Sequence, residues 1–186
     1  MQLFGNKLHL KSQETDWIEE AKGGDPRAQK HIYDQLSGKM YAVCLRYMGD
    51  REAARDILQD GFITLFTKLE SYSGEGSFEG WARRIFVNTA LMSLRKKDAL
   101  KESEDVDAAR NITSGEPGAI EKIGAAELLK MIEALPPGFR TVFNMYVIEG
   151  YSHKEIAEAL GVSETTSRSQ LQRARALLQS KIKDRY

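Results

Sequence analysis

The chain is predicted to be all-α, with two small helical domains joined by a flexible acidic linker and a helix-turn-helix in the second domain. Three observations lead there. Apolar residues recur every three or four positions through almost every segment, no stretch alternates with period two for long enough to form a strand, and residues 98–120 lose the helical period altogether. The expected boundaries are 1–97, 98–120 and 121–186.

The first long stripe runs through Ala28, Ile32, Leu36, Met40, Val43 and Tyr47, and Gly49-Asp50 breaks it. A second helix follows, with Ala54, Ile57, Leu58, Gly61, Phe62, Leu65 and Leu69 inward. The "SYSGEGS" stretch at 71–77 reads as a loop. A third helix over about 78–96 carries Trp81, Ile85 and Met92 on one side. Residues 98–120 contain Asn111, Gly115, Pro117 and Gly118, too long a stretch for a loop inside a compact domain. Helices resume over 121–134 and stop at Pro136-Pro137-Gly138. Another passes through Phe139, Val142, Phe143, Tyr146 and Val147 to Gly150.

The last pair carries the strongest local signal. Ser152 and Glu155 have capping-box spacing, in which each side chain satisfies the other residue's backbone N–H. Ile156, Ala157 and Leu160 face inward, Gly161 can take the left-handed conformation that ends the helix, Val162 plugs the corner and Ser163 caps the next helix. In that helix a stripe at 167, 171, 174 and 178 is buried, leaving Arg168, Ser169, Gln172, Arg173 and Arg175 on other faces. A helix of this width fits the DNA major groove while its predecessor braces it across the backbone. Its early residues would reach base edges, and Arg175, Lys181, Lys183 and Arg185 would meet phosphates.

Bulk properties narrow the classes. At 186 residues the chain can bury a core in one large or two small domains, and 41% hydrophobic with 29% charged residues is ordinary for a globular protein. No apolar run approaches the ~20 residues of a membrane span, so no membrane insertion is expected. The N-terminus lacks an apolar signal region and reads as a mature cytoplasmic start. The lone Cys44, beside Val43, Leu45 and Tyr47, reads as a buried small hydrophobe in a reducing compartment. Nothing points to an enzyme or a cofactor. His9, His31 and His153 lack metal-ligand spacing, and there is no phosphate-binding glycine loop or nucleophile motif.

Charge is segregated although it sums to zero, with 27 basic and 27 acidic side chains. Residues 81–97 hold five basic side chains and no acidic one, 99–119 five acidic against two basic, and 163–186 six basic against two acidic. Two basic surfaces flank an acidic spacer, as two anion-binding sites on a linker would. Beside the first lie Tyr72, Phe78 and Trp81, so Arg83, Arg84, Arg95, Lys96 and Lys97 combine cationic tracks with aromatic platforms suited to unstacked bases. Asn88 can donate and accept at a base edge. Trp81 shares a stripe with Ile85, which leaves core packing and base contact both open for it. Asp56, Gln59 and Asp60 lie within about one turn and off the apolar stripe, able to face a basic partner.

Together "AARDILQDGFITLFTKL" (53–69), "FEGWARRIFVNTALMSLRKK" (78–97) and "LPPGFRTVFNMYVIEGYSHKEIAEALGVSETTSRSQLQRARALL" (135–178) resemble, in order and spacing, the bacterial sigma factors of the extracytoplasmic-function group. The resemblance implies a promoter-specificity subunit of RNA polymerase. It implies core-polymerase binding by Asp56, Gln59, Asp60 and Phe62, against the clamp helices of the largest subunit, with another subunit contacting the second domain. It places −10 recognition and melting at Tyr72, Phe78, Trp81, Arg84, Asn88, Arg95, Lys96 and Lys97. It places −35 recognition at Lys154, Thr165, Thr166, Arg168, Ser169, Gln172, Arg173 and Arg175. It also implies a polymerase-threading linker and an anti-sigma factor as partner. Two positions depart from the pattern. Ser167 stands where an aliphatic residue is usual, an expected loss of ~1 kcal/mol of apolar burial, and Gln170 stands where a phosphate-binding basic residue is common. The rival reading is a stand-alone helix-turn-helix regulator whose first domain senses a ligand or dimerises.

Overall fold

A computed structural model describes residues 16–96 and 124–184. The expected linker at 98–120, together with His9, Lys97 and Arg185, lies outside the described residues. Among those described, every regular element is a helix. A helix over 16–22 (α1) precedes α2 (Pro26–Met48), α3 (Arg51–Thr67), a 3-10 turn (Leu69–Ser71) and α4 (Phe78–Lys96). Then come α5 (Ala125–Glu133), α6 (Pro137–Phe143), a π-helical turn (Asn144–Ile148), α7 (His153–Leu160) and α8 (Glu164–Lys183). The short, polar α1 was not among the expected elements. Contacts divide the chain into two compact units: Met1–Cys44 with Arg55–Thr89, and Leu45–Ala54 with Ala90–Tyr186.

In the first unit, α2 starts at Asp25. Its Oδ1 accepts from the Arg27 and Ala28 amides at 2.7 and 3.0 Å, which holds the carboxyl below its ordinary pKa. Pro26 follows at the position where a missing N–H costs nothing. The expected stripe is buried from Ala28 through Ile32, Leu36 and Met40 to Val43. Ile57, Phe62 and Leu65 of α3 close over the interior, where the Phe62 ring lies 4.6 Å from Tyr33 and edge-on to Phe86 at 5.0 Å. A glycine inside a helix weakens it, yet Gly61 has a packing reason. A Cβ there would come within 2.3 Å of the Phe86 ring.

The buried side of α4 differs from the expected one. Phe78, Ala82, Phe86, Val87, Ala90, Leu91 and Leu94 are buried, while Trp81 and Ile85 are half-buried and Met92 is 59% exposed. Apolar residues lie on several faces of this helix, so periodicity alone could not choose among them.

In the second unit, Arg140 of α6 ties three pieces of backbone together. Its Nε donates to Tyr47 O at 3.0 Å and Nη2 to Met48 O at 2.8 Å, while Nη1 donates to Glu133 O and Leu135 O at 2.8 and 2.9 Å. Asn144 Nδ2 takes the neighbouring Arg46 carbonyl at 2.9 Å. The last carbonyls of α2, which no helical N–H reaches, are thus capped by side chains. Burial lowers the Arg140 pKa from its usual value, with Glu133 acting in the opposite direction. Arg46 and Glu149 add an ion pair at 2.8 Å with little exposure on either side chain.

The helix expected to run from Phe139 to Gly150 widens into a π turn at Asn144, closed by Glu149 N on Asn144 O at 3.0 Å. The longer ring shifts the following side chains around the axis. Met145 stays buried, whereas Tyr146, Val147 and Ile148 come out to the surface. α8 packs on α5, α6 and α7. Leu171, Ala174, Leu178 and Ile182 supply its apolar side.

Candidate nucleic-acid interface

The turn between α7 and α8 has the anticipated chemistry. Ser152 Oγ accepts from the Glu155 amide at 3.3 Å, and Glu155 Oε2 accepts from the Ser152 amide at 2.8 Å. These bonds to Ser152 hold the Glu155 carboxyl below its ordinary pKa. Gly161 ends α7 with φ +70°, and Val162 N returns to Ala157 O at 3.1 Å. Ser163 then caps α8, its Oγ accepting from Thr166 N at 3.0 Å. Two caps and one left-handed residue set the direction in which α8 leaves the turn.

Rotation of α8 about its axis follows from its buried stripe, which includes Ser167 and Gln170 besides the apolar residues. Thr165, Arg168, Gln172 and Arg175 are exposed; Thr166, Ser169 and Arg173 are half-buried beside them. Lys154, on the outer side of α7, is exposed too. Arg168 is paired with Glu164 one turn back, at 2.7 Å. Lys181 is turned toward the Ala134 carbonyl at 3.4 Å, and Lys183 is exposed.

The two departures both lie on the buried side of α8, as expected for Ser167. Ser167 is fully buried, but its Oγ lies 2.9 Å from Nδ1 of His153, so a hydrogen bond replaces the missing apolar contact. Gln170 is 5% exposed and belongs to the buried side of α8.

The aromatic cluster at the start of α4 is compact. Tyr72 and Phe78 lie 5.2 Å apart, and Trp81 lies 5.3 Å from Tyr72 and 5.7 Å from Phe78. Tyr72 and Phe78 are each 6% exposed and support the cluster from within; half-buried Trp81 is the ring that reaches solvent. The loop of residues 71–77 is held by Tyr72 Oη on Gly76 O and Lys22 Nζ on Tyr72 O, both 3.1 Å. Down the helix from Trp81, at three- and four-residue steps, come Arg84, Asn88, Met92 and Arg95, with Lys96 beside them, all exposed after the tryptophan. Met92 is an addition to the expected set, and its signal was an apolar residue in line with Arg84 and Asn88.

On α3, Asp56, Gln59 and Asp60 are exposed on one side. Phe62 is not with them, being 5% exposed in the core. The apolar neighbour on the exposed side is Ile63, three residues after Asp60 and 58% exposed. Among the described residues, no group of three or more His, Cys, Asp or Glu side chains could hold a metal ion, and no helix is long and apolar enough to cross a membrane.

A capped helix-turn-helix and a helix with an aromatic, basic face define the class: a helical protein that handles DNA. Residues 32–100 match the family model for sigma-70 region 2, and residues 125–178 match the model for sigma-70, region 4. The sigma factor SigE of Mycolicibacterium smegmatis is 31% identical over 183 residues, covering 89% of this chain and 70% of that protein. The sigma-E factor of Escherichia coli is 30% identical over 178 residues, covering 89% and 92%. The sigma factor RpoE of Bartonella quintana, solved with the anti-sigma factor NepR, shares the fold at 20% identity and a TM-score of 0.50, over 84% of this chain and 98% of that one. The chain belongs to the extracytoplasmic-function sigma factors of the sigma-70 family. It is a promoter-specificity subunit that binds core RNA polymerase and initiates transcription, a non-catalytic role, and the rival reading as a stand-alone regulator is set aside.

Proposed function

We propose that the work is divided along the chain. Residues 1–97 bind core polymerase and open the −10 region, 98–120 link, and 121–186 read the −35 element. The observation that carries the −35 assignment is the doubly capped turn at Gly161, which leaves Arg168, Gln172 and Arg175 exposed on α8. Arginine and glutamine are suited to bidentate contacts with base edges. Trp81, Arg84, Asn88, Arg95 and Lys96 supply the −10 surface, with Tyr72 and Phe78 holding the tryptophan. Asp56, Gln59 and Asp60 face the clamp helices of the largest polymerase subunit, and Ile63 supplies the apolar contact there that the resemblance implied for Phe62.

The protein acts in the bacterial cytoplasm, and its regulator is an anti-sigma factor, by analogy with the complex solved for the Bartonella protein. The direct test is capture of core RNA polymerase by the wild-type chain and by an Asp56→Lys/Asp60→Lys variant. Retention by the first and loss by the second supports the assignment of α3. Equal retention by both overturns it.

A further inference from the structure

Four side chains form a continuous row across the helix-turn-helix. Ser167 Oγ meets His153 Nδ1 at 2.9 Å, the His153 ring stacks on Tyr146 at 4.4 Å and 22°, and the Arg175 guanidinium lies 6.0 Å from the centre of the same Tyr146 ring. The row begins in the buried stripe of α8, passes through the first residue of α7 and the π turn, and ends on the exposed side of α8. Both ends therefore belong to the helix assigned to base reading.

An aliphatic side chain at 167 would hold α8 by contacts that tolerate small slides. A hydroxyl at a fully buried position is different. Without a partner it is costly, and its bond to an imidazole nitrogen is narrow in distance and angle. A shift of α8 by about 1 Å would break that bond. Bidentate readout by Arg168, the next residue after Ser167, needs positional accuracy of the same order.

We propose that His153 is a positioning residue for −35 recognition: bonded to Ser167 and stacked on Tyr146, it fixes the seating of α8 and so sets how sharply −35 sequences are distinguished. This rests on the assignment of α8 to the −35 element. His153 need not touch DNA in this role. A consequence is that discrimination depends on His153 because residue 167 is serine, and the dependence disappears when 167 is made aliphatic.

The test uses holoenzyme reconstituted from core polymerase and the full chain, with a duplex library randomised across a −35-sized window upstream of a constant segment. Bound DNA is sequenced for wild type, His153→Ala, His153→Asn and His153→Ala/Ser167→Val. Thermal melting of each variant sets a working temperature at which all are folded. Expected is a fall of about threefold or more in the enrichment of preferred over median windows for His153→Ala. Asparagine, which can place a polar atom near the old Nδ1, and the double variant both regain most of it. Unchanged enrichment in His153→Ala overturns the proposal while leaving α8 as reader. Loss that neither second variant repairs also overturns it, since positioning through Ser167 requires repair. If wild-type holoenzyme shows no enrichment, the assignment of α8 fails and this role of His153 fails with it.

Discussion

Gly49 and Arg140 meet so closely that residue 49 has no room for a side chain. A Cβ on Gly49 would lie 2.3 Å from Arg140 Nη1 and 2.8 Å from the Glu133 carbonyl oxygen, and Gly49 sits at φ +68°, where side chains are strained. The glycine leaves space for the guanidinium that bonds the Tyr47 and Met48 carbonyls at the end of α2. Gly49→Ala is expected to destabilise the second unit by about 2 kcal/mol, combining backbone strain with a displaced hydrogen-bond fork. The urea midpoint of its helical signal reads this. Arg140→Lys would fall at least as far, because one ammonium with three donors cannot serve four carbonyls that the guanidinium reaches from three separate nitrogens.

Phe62 and Ile63 are adjacent, and their substitutions should separate folding from function. Phe62→Ala should cost about 3 kcal/mol or more through the cavity beside Tyr33 and Phe86. Ile63→Lys should leave thermal stability within about 0.5 kcal/mol of wild type yet weaken core-polymerase capture. Normal capture by Ile63→Lys would remove that residue from the proposed contact.

His153 should titrate below its ordinary value of 6.5. Desolvation is the main cause, followed by the Arg168 cation; Glu164 opposes both and Arg175 adds to the lowering. The sign follows from linkage. With the folded pKa depressed, the unfolded chain takes up the proton first as pH falls below about 6.5. The contribution of neutral His153 is therefore complete above that pH and is lost on descent toward the folded value. Imidazole proton resonances recorded against pH, with His153→Gln to assign the signal, check the direction. A midpoint above 6.5 would contradict it.

Ser152→Ala removes the acceptor for the Glu155 amide and the hydroxyl that donates to the Glu155 carboxylate at 2.7 Å, leaving the residue-152 amide as its remaining partner. The expected cost is about 1 kcal/mol, confined to the second unit and legible as earlier hydrogen exchange of the α7 amides. Glu155→Gln should cost less, since glutamine can still reach the Ser152 amide.

Much of this was legible in the sequence because short-range chemistry decided it. Ser152, Glu155, Gly161 and Ser163 each bond a backbone group no more than four residues away, and the expected turn formed. The stripe from Ala28 to Tyr47 was equally plain, since one periodic face dominates α2. The inward side of α4 was not, because Trp81, Ile85 and Met92 share a helix with a second apolar face. Position 167 lies on the buried stripe as expected, but its partner was hidden for another reason. Its partner His153 is 14 residues away, and no local pattern says that a serine and a histidine will meet. Phe62 lies inward as the apolar period of α3 indicates; only its partner-facing role, which came from the resemblance, differs from its place in the core. The capping of α2 by Arg140 bridges 92 and 93 residues and leaves no trace in spacing.

The single cysteine has a practical consequence. Cys44 is wholly buried, and burial pushes its thiol pKa up to about 12. Thiolate is then scarce near neutrality, and alkylating reagents have no path to it. A cysteine introduced at an exposed site such as Ser73 or Gln172 would be the one thiol to accept a maleimide dye. The native chain is already suited to single-site fluorescence during promoter opening, with no background cysteine to remove.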